Sequence, residues 1–347
     1  MSIQTSDITD NINVDDNDSA AEQLLFVSLD DAPVAPSPEH QLLMGFHFTD
    51  EPCPPLHDAM VNLQLKPLDR ESQVESWWYK GDVSYSSSGN TRVAECADYA
   101  VVIVEMDPVN SEGMRAQAHD AYRELIQAVR SSGHSQMVKI WNYFGEINQG
   151  KDDTEKYRQF SIGRAEVFEE MGVNDEEAPT GTAIGTKDGS GLKLIALCTS
   201  HSFCPVENPR QVSAFHYPKI YGPSSPKFSR GGFVSLDKYR LVLISGTAAV
   251  VGHESFSPYD TALQTDETFK NLDYLCEAIS DIDQQNERFA LDHNSVLRVY
   301  LRDPNDFQAA ARKMEQAFGS SAKDIAYLHG IICRRELMIE IDGVQIT

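Results

Sequence analysis

No run of the chain approaches the roughly 18 apolar residues that a membrane span requires. The opening stretch MSIQTSDITDNINVDD has neither the basic nor the apolar region of a secretory signal, so a soluble, cytoplasmic protein without a membrane partner is expected. Cysteine is sparse and scattered: Cys53, Cys96, Cys198, Cys204, Cys276 and Cys333 form no CxxC pair, which argues against a zinc site or a disulfide framework. Basic residues are few. Lys and Arg number 29 against 53 Asp and Glu, for a formal net charge of −24, the wrong sign for gripping a phosphate backbone, and nucleic acid is not expected as a partner. There is no P-loop, no GxSxG elbow and no HExxH, and the ten histidines show no ligand spacing, so kinase and metal-hydrolase chemistry have no support.

What is present is a globular composition of 347 residues, 41% of them hydrophobic, enough for one large or two ordinary domains. The acid is unevenly spread: residues 1–65 hold twelve Asp or Glu and no Lys or Arg. Fields are screened within a Debye length of ~8 Å at physiological salt, so an acidic tail need not set the potential of a distant pocket. Residues 1–20 are too polar to offset their ordering entropy. With Pro33, Pro36 and Pro38 as a spacer, residues 1–40 read as an acidic, disordered tail before the apolar run that begins at Leu42.

Periodicity predicts an α+β chain in which one order of elements occurs twice. DYAVVIVEM (98–106) reads as a strand, and residues 117–129 as a helix with Ala121, Tyr122, Leu125, Ile126 and Val129 inward. MVKIWNYF (137–144), a helix over 155–172, and LKLIALCTS (192–200) follow. In the C-terminal third, RLVLISGTAAVV (240–251) precedes a helix over 263–279 bearing Phe269, Leu272, Leu275, Cys276 and Ile279. SVLRVYL (295–301) is followed by a helix that Asp303 and Pro304 open, and a strand ending in ELMIEIDGV closes the unit. Two tandem α+β units, 41–220 and 221–347, are expected, although alternating elements also recur by chance.

Three groups of residues can carry chemistry. Between Asn208 and Leu236 stand Arg210, Lys219, Lys227 and Arg230 with no acidic residue, and YPKIYGPSSPKFSRGG adds Tyr217 and Tyr221 among many turn formers. Guanidinium forks there match carboxylates, or the segment is a solvated linker. Tyr157 and Arg164, seven residues apart, share a helix face with Phe160, where Arg164 either points inward or snorkels. In CRRELMIEIDGV (333–344), alternation places Glu340 opposite Leu337, Ile339 and Ile341. Burial would raise its pKa and make it a proton donor; otherwise it is a solvent-facing Glu.

YPKIYGPSSPKFSRGG, together with IWNYFGEIN, EKYRQFSIGRAEVF, NPRQVSAFHYP and RRELMIEIDGV, resembles the chorismatase family over most of residues 95–345. The resemblance implies two tandem RidA-like (chorismate-mutase-like) units, with mixed sheets and helices packed on one face. It implies chorismate as the small-molecule substrate, Tyr157, Arg164, Arg210, Tyr217, Tyr221 and Arg230 as its binding residues, and Glu340 as the general acid that protonates the enolpyruvyl group. No metal or organic cofactor is implied, since proton transfer and positioning suffice. Gly246 and Cys333 match the branch of the family that releases 3-hydroxybenzoate, some members of which give 4-hydroxybenzoate as well, and tandem units that internalise an interface imply a monomer. Cys333 and Glu340 have opposite parity in a regular strand, so both reach one site only if a bulge or bend intervenes. Three readings stay open beside this one: a chorismate hydrolase releasing a dihydroxycyclohexadienoate, a RidA-like imine deaminase with a single Arg anchor, and a non-catalytic small-molecule sensor.

Overall fold

Strand-forming runs outnumber helical ones, and among the described residues they sort into three large sheets and one two-stranded ribbon. The computed structural model describes residues 24–283, 289–292, 294–319 and 324–347. The first sheet contains β1 (Leu25–Asp30), β2 (His40–Thr49), β3 (Met60–Leu63) and β4 (Ser72–Lys80), in the order β1-β4-β2-β3. Here the structure corrects the expected tail of residues 1–40. Residues 1–23 lie outside the described residues, but Leu25 and Val27 of β1 are buried, and β1 pairs antiparallel with β4 because its alternating apolar residues have a core to enter.

The second sheet is built from β5 (Ser84–Ser88), β6 (Thr91–Glu95), β7 (Tyr99–Met106), β8 (Gln136–Gly145), β9 (Thr180–Thr186) and β10 (Leu192–Thr199). Helix α1 (Ser111–Ser131) follows β7, and α2 (Lys156–Glu170) follows β8. The third sheet contains β11 (Phe203–Val206), β12 (Gly231–Ser235), β13 (Arg240–Ala248), β16 (Ser295–Leu301), β17 (Asp324–His329) and β19 (Ile339–Ile346). A small ribbon, β14 (Val250–Val251) with β15 (Glu254–Ser255), leads into α3 (Thr261–Asp283), and α4 (Phe307–Phe318) follows β16. The short β18 (Ile331–Ile332) leaves its own half and pairs with β9 at the edge of the second sheet.

The repeat is visible in the topology itself. The second sheet runs β9-β8-β10-β7-β6 and the third runs β17-β16-β19-β13-β12. In both, the outer pair is parallel (β8 with β9, β16 with β17) and the inner pairs are antiparallel. The α+β class with mixed sheets is therefore as expected. The expected boundary after residue 220 instead falls inside the connection between β11 and β12, two paired strands of one sheet.

Helices cover one face of each repeat sheet. Tyr122, Leu125 and Val129 of α1 and Phe160 and Val167 of α2 pack on Val102, Val104 and Ala196, whereas Leu272, Leu275 and Ile279 of α3 and Met314 of α4 pack on Val242, Val299 and Ile341. The helix-free faces point inward, where Trp141, Ile195 and Leu243 join Phe46, Phe48 and Trp77 of the first sheet in one core. Among the described residues, no helix is long and apolar enough to cross a membrane.

A polar chain runs through that core. Arg298 on β16 donates through Nε to Glu75 Oε2 on β4 at 2.7 Å and through Nη1 to Asp342 Oδ2 on β19 at 3.2 Å. Asp342 also accepts from Thr182 Oγ1 at 2.6 Å and Trp141 Nε1 at 3.1 Å, and Lys139 Nζ stands 3.5 Å from it. Two acids and two bases thus compensate each other, which is the condition under which charges can be buried. Because they come from all three sheets, they also fix how the sheets sit on one another.

Candidate active site

A cavity of about 650 Å³ opens where the two repeats meet the basic loop. Its wall receives Tyr157 and Ser161 from α2, Tyr217, Tyr221, Phe228 and Arg230 from the loop, Gly246 and Ala248 from β13, Cys333 and Arg334 from the turn after β18, and Glu340 from β19. Seven of the nine residues singled out in the sequence stand on this one wall: Glu340, Cys333, Gly246, Tyr157, Tyr217, Tyr221 and Arg230.

Glu340 is buried, 4% exposed, on the face of β19 opposite Ile339 and Ile341, and it stands in register between Ala248 and Tyr300. Burial drives its pKa up to about 8, with the Asp342 carboxylate adding to the rise and the Lys139, Arg230 and Arg302 cations opposing it. It therefore carries its proton at neutral pH. Asp342, two residues on, behaves in the opposite way: burial pushes its carboxyl up, but Arg298, Lys139 and its hydrogen bonds outweigh that and hold it below the usual range. Two carboxyls on one strand face are thus separated into one acid and one carboxylate by their surroundings.

Gly246 lies in a bulge. The register of β13 against β19 shifts between Ile244 and Thr247. Lys139 Nζ donates to Ile244 O at 2.6 Å, and Ser245 Oγ accepts from Gly181 N–H at 2.8 Å while donating to Ser229 O at 2.5 Å, so the bulge is held from both sides. A Cβ at position 246 would overlap Glu340 Oε1. Glycine is what leaves room for the acid.

Cys333 reaches the same wall because the C-terminal segment is not one strand. The expected strand over 333–344 begins only at Ile339; before it, Leu337 N–H bonds Arg334 O at 3.1 Å to close a turn. This bend resolves the parity conflict between Cys333 and Glu340. Burial and the neighbouring Glu340 push the Cys333 thiol up to about 12, which favours the neutral thiol.

The cations are distributed differently from expectation. Arg230, 5% exposed, donates from Nη2 to Tyr217 OH at 2.6 Å and Val212 O at 2.9 Å, and its Nε is buried without a partner. Arg334, which the sequence reading did not single out, lies 3.8 Å above the Tyr221 ring centroid and 5.0 Å from that of Tyr217. Its Nη1 donates to His253 O at 2.8 Å, and its Nη2 is buried without a partner. Both guanidinium groups belong to residues that line the cavity, and each also keeps one buried N–H without a partner, a surplus of donors suited to anions.

Arg210 does not line the cavity. It is taken by α3, where its Nη1 donates to Asn271 Oδ1 at 2.6 Å, its Nη2 pairs with Glu267, and its guanidinium lies over Tyr274. The absence of acid in residues 208–236 gave no sign of Glu267, which arrives from 57 residues on. Arg164 points inward, 4% exposed and 5.2 Å from the Phe160 ring centroid, with Nε and Nη2 unpartnered, but it too stands behind the cavity wall rather than on it.

The chain is similar to known proteins in sequence and in fold. Residues 75–198 match the family described as chorismatase FkbO/Hyg5-like, N-terminal. A solved chorismatase structure shares the fold, with a TM-score of 0.83 at 24% identity over 92% of this chain and 98% of its own. A 3-hydroxybenzoate synthase of Streptomyces hygroscopicus is 30% identical over 306 residues, 85% of this chain and 86% of the relative. A chorismatase of Streptomyces rapamycinicus is 30% identical over 282 residues, 79% of this chain and 82% of that one. The chain belongs to the chorismatase family.

Proposed function

We propose that this cavity removes pyruvate from chorismate and releases 3-hydroxybenzoate, with Glu340 as the general acid. The feature that carries the reading is a buried carboxyl, raised in pKa by its surroundings, on the wall of a cavity that two arginines also line, each with an unpartnered N–H. Chorismate is a dianion with one ring carboxylate and one on its enolpyruvyl ether. Arg230 and Arg334 supply the two charges, with Tyr157, Tyr217 and Tyr221 lining the space between; Arg164, one layer behind, supports the α2 side.

Glu340 gives its proton to the enolpyruvyl methylene carbon, which becomes a methyl group beside an oxocarbenium centre. The ring C–O bond then breaks and the ether oxygen leaves with pyruvate. The ring 4-hydroxyl oxygen attacks the vacated carbon, its old C–O bond opens, and loss of the ring hydrogen at the attacked carbon restores aromaticity and returns one proton to the site. Atoms balance without water. A water at the same carbon would instead give the diol, so the neutral Cys333 and the bulge at Gly246 matter as the surfaces that decide which oxygen arrives. The likeness to a 3-hydroxybenzoate synthase supports this branch.

The test is incubation of the purified protein with chorismate in chelator-treated buffer, with pyruvate and ring products followed by chromatography. Pyruvate with 3-hydroxybenzoate is expected. Pyruvate with a non-aromatic diol would sink the branch, and no pyruvate above the spontaneous background would sink the reading.

A further inference from the structure

Cys333 and Arg334 stand on the cavity wall, yet they sit in neither helix nor strand, so their placement depends on whatever holds the turn from Ile332 to Leu337. Four of its carbonyls are held by two side chains. Arg302, the residue after β16, donates from Nε to Leu337 O at 2.7 Å and from Nη2 to Ile332 O at 2.7 Å and Arg334 O at 2.8 Å. Its Nη1 donates to Asn148 Oδ1 at 3.1 Å, and Asn148 Nδ2 donates in turn to Cys333 O at 2.9 Å. The Arg302 backbone N–H closes the set on Met338 O at 2.9 Å. Neither Arg302 nor Asn148 lines the cavity.

We infer that Arg302, with Asn148, is a positioning residue: it locks the Ile332–Leu337 turn and so sets where Cys333 and Arg334 stand relative to Glu340 and Tyr221. The geometry requires a planar fork, since three carbonyls and an amide oxygen are met by three nitrogens of one guanidinium, which a lysine's single ammonium cannot reproduce. Asn148 belongs to the connection between β8 and α2, and β18 pairs with β9 of the same repeat. The lock therefore ties the second repeat's active-site turn to the first repeat's sheet. Its activity readout rests on the chorismate-cleaving reading; its structural readout does not.

The experiment combines hydrogen–deuterium exchange with product analysis on full-length Arg302→Lys, Arg302→Ala and Asn148→Ala. In Arg302→Lys, amides within residues 332–338 are expected to exchange at least tenfold faster while β8 and β13 keep their native rates. In the same variant kcat/KM falls at least tenfold, and a smaller share of the pyruvate released is matched by 3-hydroxybenzoate. Asn148→Ala moves both readouts in the same direction by less, and millimolar guanidinium chloride partly restores Arg302→Ala. If Arg302→Ala does not fold, the other two variants carry the test. Native exchange in this segment overturns the inference, as do faster exchange with an unchanged product ratio and unchanged kcat/KM. A wild-type protein that releases no pyruvate overturns the functional reading instead, and the exchange data still decide the positioning claim.

Discussion

Glu340 and Gly246 compete for one space: a Cβ built on Gly246 would overlap Glu340 Oε1 and stand 2.8 Å from its Cδ. A side chain at position 246 therefore has to displace the Glu340 carboxyl. Gly246→Ala is expected to turn the carboxyl out of its position and lower kcat by roughly 10- to 100-fold, the usual effect of misplacing a reacting group by about an ångström. Its KM should stay within about threefold, because the guanidinium groups are untouched. Steady-state kinetics decide the point, and a wild-type kcat would show that the acid tolerates the crowding.

The pH dependence follows from the raised pKa of Glu340, about 8. The competent form is the protonated one, so kcat/KM should be level through neutrality and fall about tenfold per pH unit above 8. Lys139, pushed down to about 8 by burial, titrates in the same range and shares in the observed midpoint. The stability consequence has a definite sign. A carboxyl raised in the folded state costs nothing below its unfolded pKa and costs progressively more as pH climbs to 8. Glu340→Gln should therefore melt higher than the wild type at pH 9, with the difference vanishing near pH 4, which thermal denaturation across pH would reveal.

Arg334 lines the cavity, keeps one buried N–H without a partner and stands over the Tyr221 ring. A hydrogen bond to a charged group contributes about 1.5–3 kcal/mol, so Arg334→Ala should raise KM for chorismate roughly 10- to 100-fold. Arg210→Ala, away from the wall, should leave KM within about threefold. The reverse ranking in a side-by-side kinetic comparison would return Arg210 to the site.

Removing Arg298 leaves Glu75 and Asp342 facing each other without their shared partner in the core. Arg298→Ala should cost about 3–5 kcal/mol of stability, the range for breaking a buried pair by deleting one member. Urea unfolding provides the measurement, and a loss below about 1 kcal/mol would mean that water or a rearranged Lys139 replaces it.

Much of this architecture was legible in the sequence. Helical stripes such as Leu272, Leu275 and Ile279 fell where expected because one face of each helix meets one sheet. The repeat, read from element order alone, reappears as the same strand order in two sheets. What escaped was set at long range. The strand at Leu25–Asp30 is adjacent to an acidic stretch that masked its apolar alternation, and its partner strand is Ser72–Lys80, far along the chain. Arg210 looked free because Glu267 is distant in sequence, whereas Arg334 looked like one more basic residue until the turn at 334–337 aimed it at Tyr221. Lys139 and Asp342, fully buried charges, carry no local sign of burial at all. Family resemblance supplied Gly246 and Cys333; only the bulge and the bend explain physically how they meet Glu340.

The central claim is that Glu340 provides the proton that releases pyruvate. Glu340→Gln keeps the shape and removes the acid, so turnover and chorismate binding should be measured side by side on that variant and on the wild type. The account predicts no pyruvate above the spontaneous background, with chorismate affinity within about tenfold of the wild type, because the lost group acts mainly in the transition state. Pyruvate release at the wild-type rate would contradict it.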